Sequence, residues 1–225
     1  MAVSPAQEWS GDVRIVSDRL HLDGFLGIPG HARGLVLFAH GSGSSRHSPR
    51  NRRVADTLQR VAVATLLFDL LTKEEERADE LTGPLRFDID LLASRLRIAT
   101  DWTRQHERTA GLRVGYFGSS TGAAAALVSA TEKDNDVGAV VSRGGRPDLA
   151  GDALPRVRAP TLLIVGGHDD AVIPLNEEAL AQLRCEKRLE IVPGATHLFE
   201  EPGALDQVSD LAARWFAGHL SMPAP

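Results

Sequence analysis

The sequence predicts one α/β domain on a mostly parallel, doubly wound sheet with helices on both faces. Three observations predict it. Short β-rich runs alternate with helical patterns along most of the chain. Several of those runs are continuously apolar, as strands covered on both faces must be. The 225 residues contain no internal repeat, low-complexity tract or long linker, so residues 1–225 are expected to form one domain around one large core.

The elements follow in order. VRIV and LHLDGFLGI form an opening hairpin pattern. Strand candidates then occur at LVLFA (35–39), TLLFD (65–69), RVGYF (113–117), AVVS (139–142), TLLIV (161–165) and RLEIV (188–192). Between them Ile89, Leu92, Leu96 and Ala99 recur on one helical face. A small-residue helix follows Ser120, another starts near Asn176, and Val208, Leu211, Ala212, Trp215 and Phe216 form a last apolar stripe. Antiparallel strands first, then β-α-β-α, imply a doubly wound sheet. Ligands in such sheets sit at the carboxyl ends of the strands, so chemistry is expected just after each strand.

Directly after RVGYF, the run Gly118-Ser119-Ser120-Thr121-Gly122 fits the nucleophile elbow G-x-S-x-G with Ser120 at its centre. Ser119 cannot be central, because Phe117 and Thr121 stand where the glycines would be needed. Taken alone the pentapeptide is equally a serine-capped helix start packed closely on a sheet. After TLLIV comes GGHDDAVIP, with Asp169 and Asp170, and after RLEIV comes PGATHLF, with His197. The order Ser, Asp, His is that of α/β-hydrolase triads. Serine becomes a nucleophile when a neutral imidazole takes its proton, and a buried carboxylate fixes the imidazole's tautomer. Seven other histidines exist, but His197 alone lies in the loop after the last strand. Gly166 and Val172 frame Asp169 in the pattern G-x-x-D-x-x-V. Gly167 and Pro174 frame Asp170 less fully, so Asp169 is favoured and Asp170 stays an alternative.

An oxyanion hole needs two further donors. One is expected from the backbone N–H of Thr121, the other from the loop at His40-Gly41-Ser42, with the Ser42 N–H favoured. Three arginines also leave carboxyl ends of strands: Arg46, Arg143 and Arg146. As substrate-binding residues they would hold an anionic group near the scissile bond. As loop braces they would pair with acids such as Asp69, Asp148, Glu200 or Glu201. A rival reading takes GSGSSR and Asp69 as a partial dinucleotide fingerprint, but Arg46 replaces the third glycine and the triad is left without a role.

Composition narrows the partners. A net charge of −5 disfavours nucleic acid and anionic membranes. The longest apolar runs are far too short to span a bilayer. The sequence MAVSPAQEWSGD has no basic start followed by an apolar stretch, so a cytoplasmic protein without a secretory signal is expected. One cysteine, Cys185, excludes an internal disulfide and a cysteine metal cluster. It sits at the amino end of a strand, on the face opposite the site, and is expected to take no part in catalysis. No metal or cofactor is expected.

The segments LFAHGSGSSRHSPRN, VGYFGSSTGAAAAL, SRGGRPDL, LLIVGGHD and HLFEEPGAL resemble the dienelactone hydrolase-like branch of the α/β hydrolases, across nearly the whole chain. The resemblance implies an α/β-hydrolase fold with an eight-stranded sheet whose second strand is antiparallel. It implies a hydrolase of small-molecule esters or lactones, with Ser120 matching the nucleophile, Asp169 the acid and His197 the base. Dienelactone hydrolase itself uses a cysteine nucleophile, whereas this elbow holds serine. Some relatives of this kind are fused to phosphoribosyltransferases. Two functions follow: a serine hydrolase working through an acyl-enzyme on an ester, lactone or thioester, or a non-catalytic hydrolase-fold protein that binds a ligand or partner.

Overall fold

The apolar runs form one eight-stranded sheet in the computed structural model, which describes residues 8–18, 20–132 and 134–221. Residues 1–7, part of the stretch that suggested no secretory signal, lie outside the described residues. The strands are β1 (Trp9–Ser17), β2 (Leu20–Ile28), β3 (Gly34–Ala39), β4 (Val63–Phe68), β5 (Val114–Ser119), β6 (Ala139–Arg143), β7 (Thr161–Gly166) and β8 (Lys187–Val192). They lie in the order β1-β2-β4-β3-β5-β6-β7-β8. Strand β2 runs antiparallel to both β1 and β4, and the remaining pairs are parallel. This is the α/β-hydrolase fold, with the antiparallel second strand in its expected place.

Strands β3 to β7 are buried along their whole length, which explains their unbroken apolar sequence. Helices cover each face. On one, α3 (Ile89–Gln105), α4 (Thr121–Ser129) and α5 (Ile173–Gln182) contribute Leu92, Leu96, Leu127 and Ala179 to the larger core. On the other, α1 (Pro49–Arg60) and α6 (Ala204–Leu220) contribute Val54, Leu58, Val208 and Phe216. Helix α1 escapes the periodicity argument because PRNRRVADTLQR carries only a narrow apolar stripe. Its start is nevertheless written locally: Ser48 accepts from Asn51 N–H at 3.3 Å, and Pro49 occupies the first turn. Helix α2 (Lys73–Thr82) begins with a capping box between Thr72 and Glu75. Among the described residues no helix is long and apolar enough to cross a membrane.

The parallel sheet brings the loops after β3, β5, β6, β7 and β8 to one edge. Those loops carry His40–Ser48, Ser120, Gly144–Arg146, Gly167–Val172 and Pro193–Gly203.

Candidate active site

Strand β5 ends at Ser119 and α4 begins at Thr121, so Ser120 alone makes the turn, at φ 51° and ψ −123°. A side chain in that region carries backbone strain that the surroundings must hold in place. The flanking glycines make the turn possible. A Cβ on Gly118 would lie 2.6 Å from the Gly122 carbonyl oxygen. One on Gly122 would strike the Ala39 carbonyl oxygen and come within 2.6 Å of that of His40. Gly41 is equally constrained, since its Cβ would sit 2.9 Å from the Ser120 Cβ. The elbow is therefore wedged against the end of β3. Arg146 N–H donates to the Ser120 carbonyl at 3.0 Å and closes the turn from the β6 side.

Asp169 and His197 meet across two loops. His197 Nδ1 lies 2.7 Å from Asp169 Oδ2, and the carboxylate is 9% exposed. Asp170 is exposed. The loop after β7 holds Asp169 in a turn, where its carbonyl accepts from Val172 N–H at 2.9 Å and Ile173 N–H at 3.0 Å. Gly166 lets the next loop approach, because a Cβ there would lie 2.6 Å from the Thr196 carbonyl oxygen. Glu201 ties the His197 loop down, accepting from Thr196 N–H at 3.1 Å and Thr196 Oγ1 at 2.6 Å. Ser120 and His197 line one cavity of about 240 Å³. No hydrogen bond joins them among the described residues.

The two expected oxyanion residues are also brought together. Ser42 N–H donates to Thr121 Oγ1 at 3.1 Å. That donor is thus already engaged by the threonine hydroxyl, while the Thr121 N–H opens α4, where helix donors have no partner within the helix.

The three arginines divide. Arg46 is bound twice to Asp69: its N–H donates to Oδ1 at 2.8 Å and its guanidinium pairs with Oδ2. Arg146 grips Asp148 bidentately at 2.9 and 2.8 Å. Both are spent on the protein's own acids: Asp148 lies two residues along the same loop, and Asp69 is brought to Arg46 by the pairing of β3 with β4. The Arg46 pair also removes Asp69 from any ribose-binding role. Arg143 differs: it is 6% exposed, lines the cavity, and makes one side-chain hydrogen bond, from Nη2 to Asn51 Oδ1 at 3.2 Å. Burial first, then the charge of Arg50, lowers its pKa from the usual value to about 10. Arg50 and Asn51 come from α1 and carry no motif that sequence alone could flag.

Cys185 is half-buried beside Thr161 at the amino end of β8, and burial raises its thiol pKa. Lys187 donates to the Leu180 and Leu183 carbonyls at 2.7 and 2.6 Å, and its charge opposes that rise without reversing it. No group of three or more His, Cys, Asp or Glu among the described residues could hold a metal ion.

Residues 22–217 match the model of the dienelactone hydrolase family. The chain belongs to this family. It is similar to the dienelactone hydrolase of Anabaena variabilis ATCC 29413, with 60% identity, a TM-score of 0.92 and coverage of 95% of this chain and 99% of that one. It is 57% identical over 214 residues to a Mycobacterium tuberculosis (strain H37Rv) protein named "Putative phosphoribosyl transferase". The match covers 95% of this chain but 47% of that protein, so the chain spans about half the length of the curated relatives it matches. Est1E from Butyrivibrio proteoclasticus shares the fold, at a TM-score of 0.78 and 16% identity, over 95% of this chain and all of that one. Family and fold together support a hydrolase.

Proposed function

We propose that this member of the dienelactone hydrolase family is a serine hydrolase that cleaves small esters, lactones or thioesters through an acyl-enzyme. Ser120 is the nucleophile, His197 the general base and Asp169 the residue that orients and charges-balances the imidazole. The observation that carries the reading is the strained Ser120 turn, opening onto the cavity that also holds His197, itself bonded to a buried carboxylate. With Asp169 bound at Nδ1, the proton on that nitrogen leaves Nε2 free to accept from serine. Attack on the carbonyl carbon forms a tetrahedral oxyanion, which the Thr121 and Ser42 N–H groups receive, the latter by giving up the Thr121 hydroxyl. The imidazolium then protonates the leaving oxygen or sulfur, and water, activated by the same His197, releases the acid.

The phosphoribosyl transferase name belongs to relatives of which this chain covers 47%, and we attribute it to their unmatched half. Steady-state kinetics on a panel of p-nitrophenyl esters and lactones tests the assignment. Ser120→Ala is expected to lower kcat by a factor on the order of 10⁶. Asp169→Asn is expected to cost up to about 10⁴, because asparagine favours the wrong imidazole tautomer. Asp170→Asn, altering an exposed side chain, is expected to stay within about twofold. The reverse ranking of the two aspartates would move the orienting role to Asp170.

A further inference from the structure

Three consecutive residues after β6 each reach one part of the proposed triad. Gly144, at φ 50°, lies against His197: a Cβ there would sit 2.9 Å from the His197 carbonyl oxygen and 3.6 Å from its ring atom Cε1. Gly145 presents its carbonyl to α5, where Asn176 Nδ2 donates to it at 3.1 Å. Arg146 N–H donates to the Ser120 carbonyl at 3.0 Å. The segment is also tied to the sheet, since Gly144 N–H donates to the Ile164 carbonyl of β7 at 2.8 Å. There is no slack on the inner side. A Cβ on Gly145 would strike Ser142 Oγ and come within 2.6 Å of the Ala123 Cβ.

Asn176 joins this segment to the acid. Its N–H and its Nδ2 both donate to the Val172 carbonyl, at 3.1 and 2.9 Å. Val172 N–H in turn donates to the Asp169 carbonyl at 2.9 Å. One side-chain amide therefore links the Asp169 turn to the segment that braces Ser120 and faces His197. Both groups that the amide meets are carbonyl oxygens, so the position calls for a donor, and that fixes which way the amide points. The residue is 0% exposed, and its Oδ1 has no hydrogen-bond partner among the described residues. An apolar side chain on this face of α5 would avoid that orphaned oxygen, and asparagine is a poor helix former. Packing of the helix thus gives no reason for an amide here, whereas the Gly145 carbonyl does.

We propose that Asn176 is a positioning residue for the hydrolysis: through the Gly145 carbonyl it holds residues 144–146 where Ser120, His197 and the Asp169 turn come into register. The proposal rests on the serine hydrolase reading for the reaction it serves. Asn176 is fully buried and touches no substrate, so its loss acts on kcat and leaves KM in place.

The test compares Asn176→Leu, Asn176→Ser and Ala179→Gly. Leucine keeps the volume and has no donor. Serine can bond back to the Val172 carbonyl, four residues before it, but is too short to reach Gly145. Ala179→Gly weakens the same helix at another buried position without touching residues 144–146. On p-nitrophenyl acetate, kcat is expected to fall about 10²-fold in both Asn176 variants, with KM within about twofold of wild type. The rate of Ser120 labelling by a small fluorophosphonate should fall by a similar factor. Ala179→Gly is expected to lower the melting temperature while keeping kcat within about twofold. Wild-type kcat in Asn176→Ser would make the side chain a support of α5 alone and overturn the proposal. An equal loss of kcat in Ala179→Gly would overturn it too. Should Asn176→Leu not fold, Asn176→Ser decides by the same criteria.

A second measurement is independent of turnover. Amide hydrogen exchange followed by NMR should show Arg146 N–H exchanging at least about tenfold faster in Asn176→Ser than in Ala179→Gly, because the bond to Ser120 loses its brace. Equal protection of Arg146 in the two variants would overturn the proposal. A wild type that shows neither turnover nor label would contradict the serine hydrolase reading instead, and Arg146 exchange would then decide by itself whether Asn176 holds the segment.

Discussion

His40 shows how a single residue can fix the floor of the site. It directly follows β3, and its Nδ1 donates to the Gly41 carbonyl at 3.0 Å while Nε2 accepts from Leu70 N–H at 3.1 Å. Only the neutral ring can do both, since a protonated Nε2 accepts nothing. Burial lowers its pKa below 6.5, against the pull of Asp69 and Glu76. The sign follows from linkage. Between the lowered folded value and 6.5 the unfolded chain holds a proton that the folded chain does not. Stability therefore falls as pH drops below 6.5, by up to about 1.4 kcal/mol per pH unit for one proton. Urea unfolding from pH 7 to pH 5 should show this slope in the wild type and a shallower one in His40→Gln. Equal slopes would mean that His40 does not report on the fold.

At the scale of elements, the elbow is a packing problem solved by glycine. Gly122 admits no Cβ because two backbone carbonyls at the end of β3 occupy its place, and backbone cannot step aside. Gly122→Ala is expected to destabilise by about 3 kcal/mol or more. Gly43, in the same loop system, has φ 69° and open space around it, so Gly43→Ala should cost only the left-handed strain, about 1–2 kcal/mol. The two urea midpoints measure this, and a Gly122→Ala midpoint equal to wild type would refute the crowding argument. These elements also show what the sequence makes legible. Strands β3 to β7 are readable because a two-sided cover demands unbroken apolar runs, while β8, KRLEIV at the sheet edge, is mostly exposed and shows only the shorter pattern RLEIV. The order Ser120, Asp169, His197 is readable because each follows a strand pattern. Helix α1 is not, since Val54, Ala55 and Leu58 are its only buried apolar residues. With α1 hidden, Arg50 and Asn51 stay hidden too. The contact of Asn51 with Arg143 spans 92 residues and has no local pattern. The division of the arginines was equally out of reach, because proximity of Arg46 to Asp69 depends on how β3 and β4 lie side by side.

At the scale of the whole molecule, the sheet separates structure from chemistry. Its carboxyl edge gathers residues from five loops, while the opposite edge carries Cys185 and the starts of the strands. Two cores, one under α3, α4 and α5 and one under α1 and α6, clamp the sheet from both sides. That clamp holds Ser120 in a conformation it would not choose by itself, at φ 51°, and an activated serine at this point is what the proposed reaction requires. The direct measurement is intact-protein mass spectrometry after treatment with a fluorophosphonate, followed by peptide mapping. One label per chain on Ser120 is expected, retained in Ser119→Ala and lost in Ser120→Ala. A label mapping to Ser119, or none on a folded wild-type protein, would contradict the account.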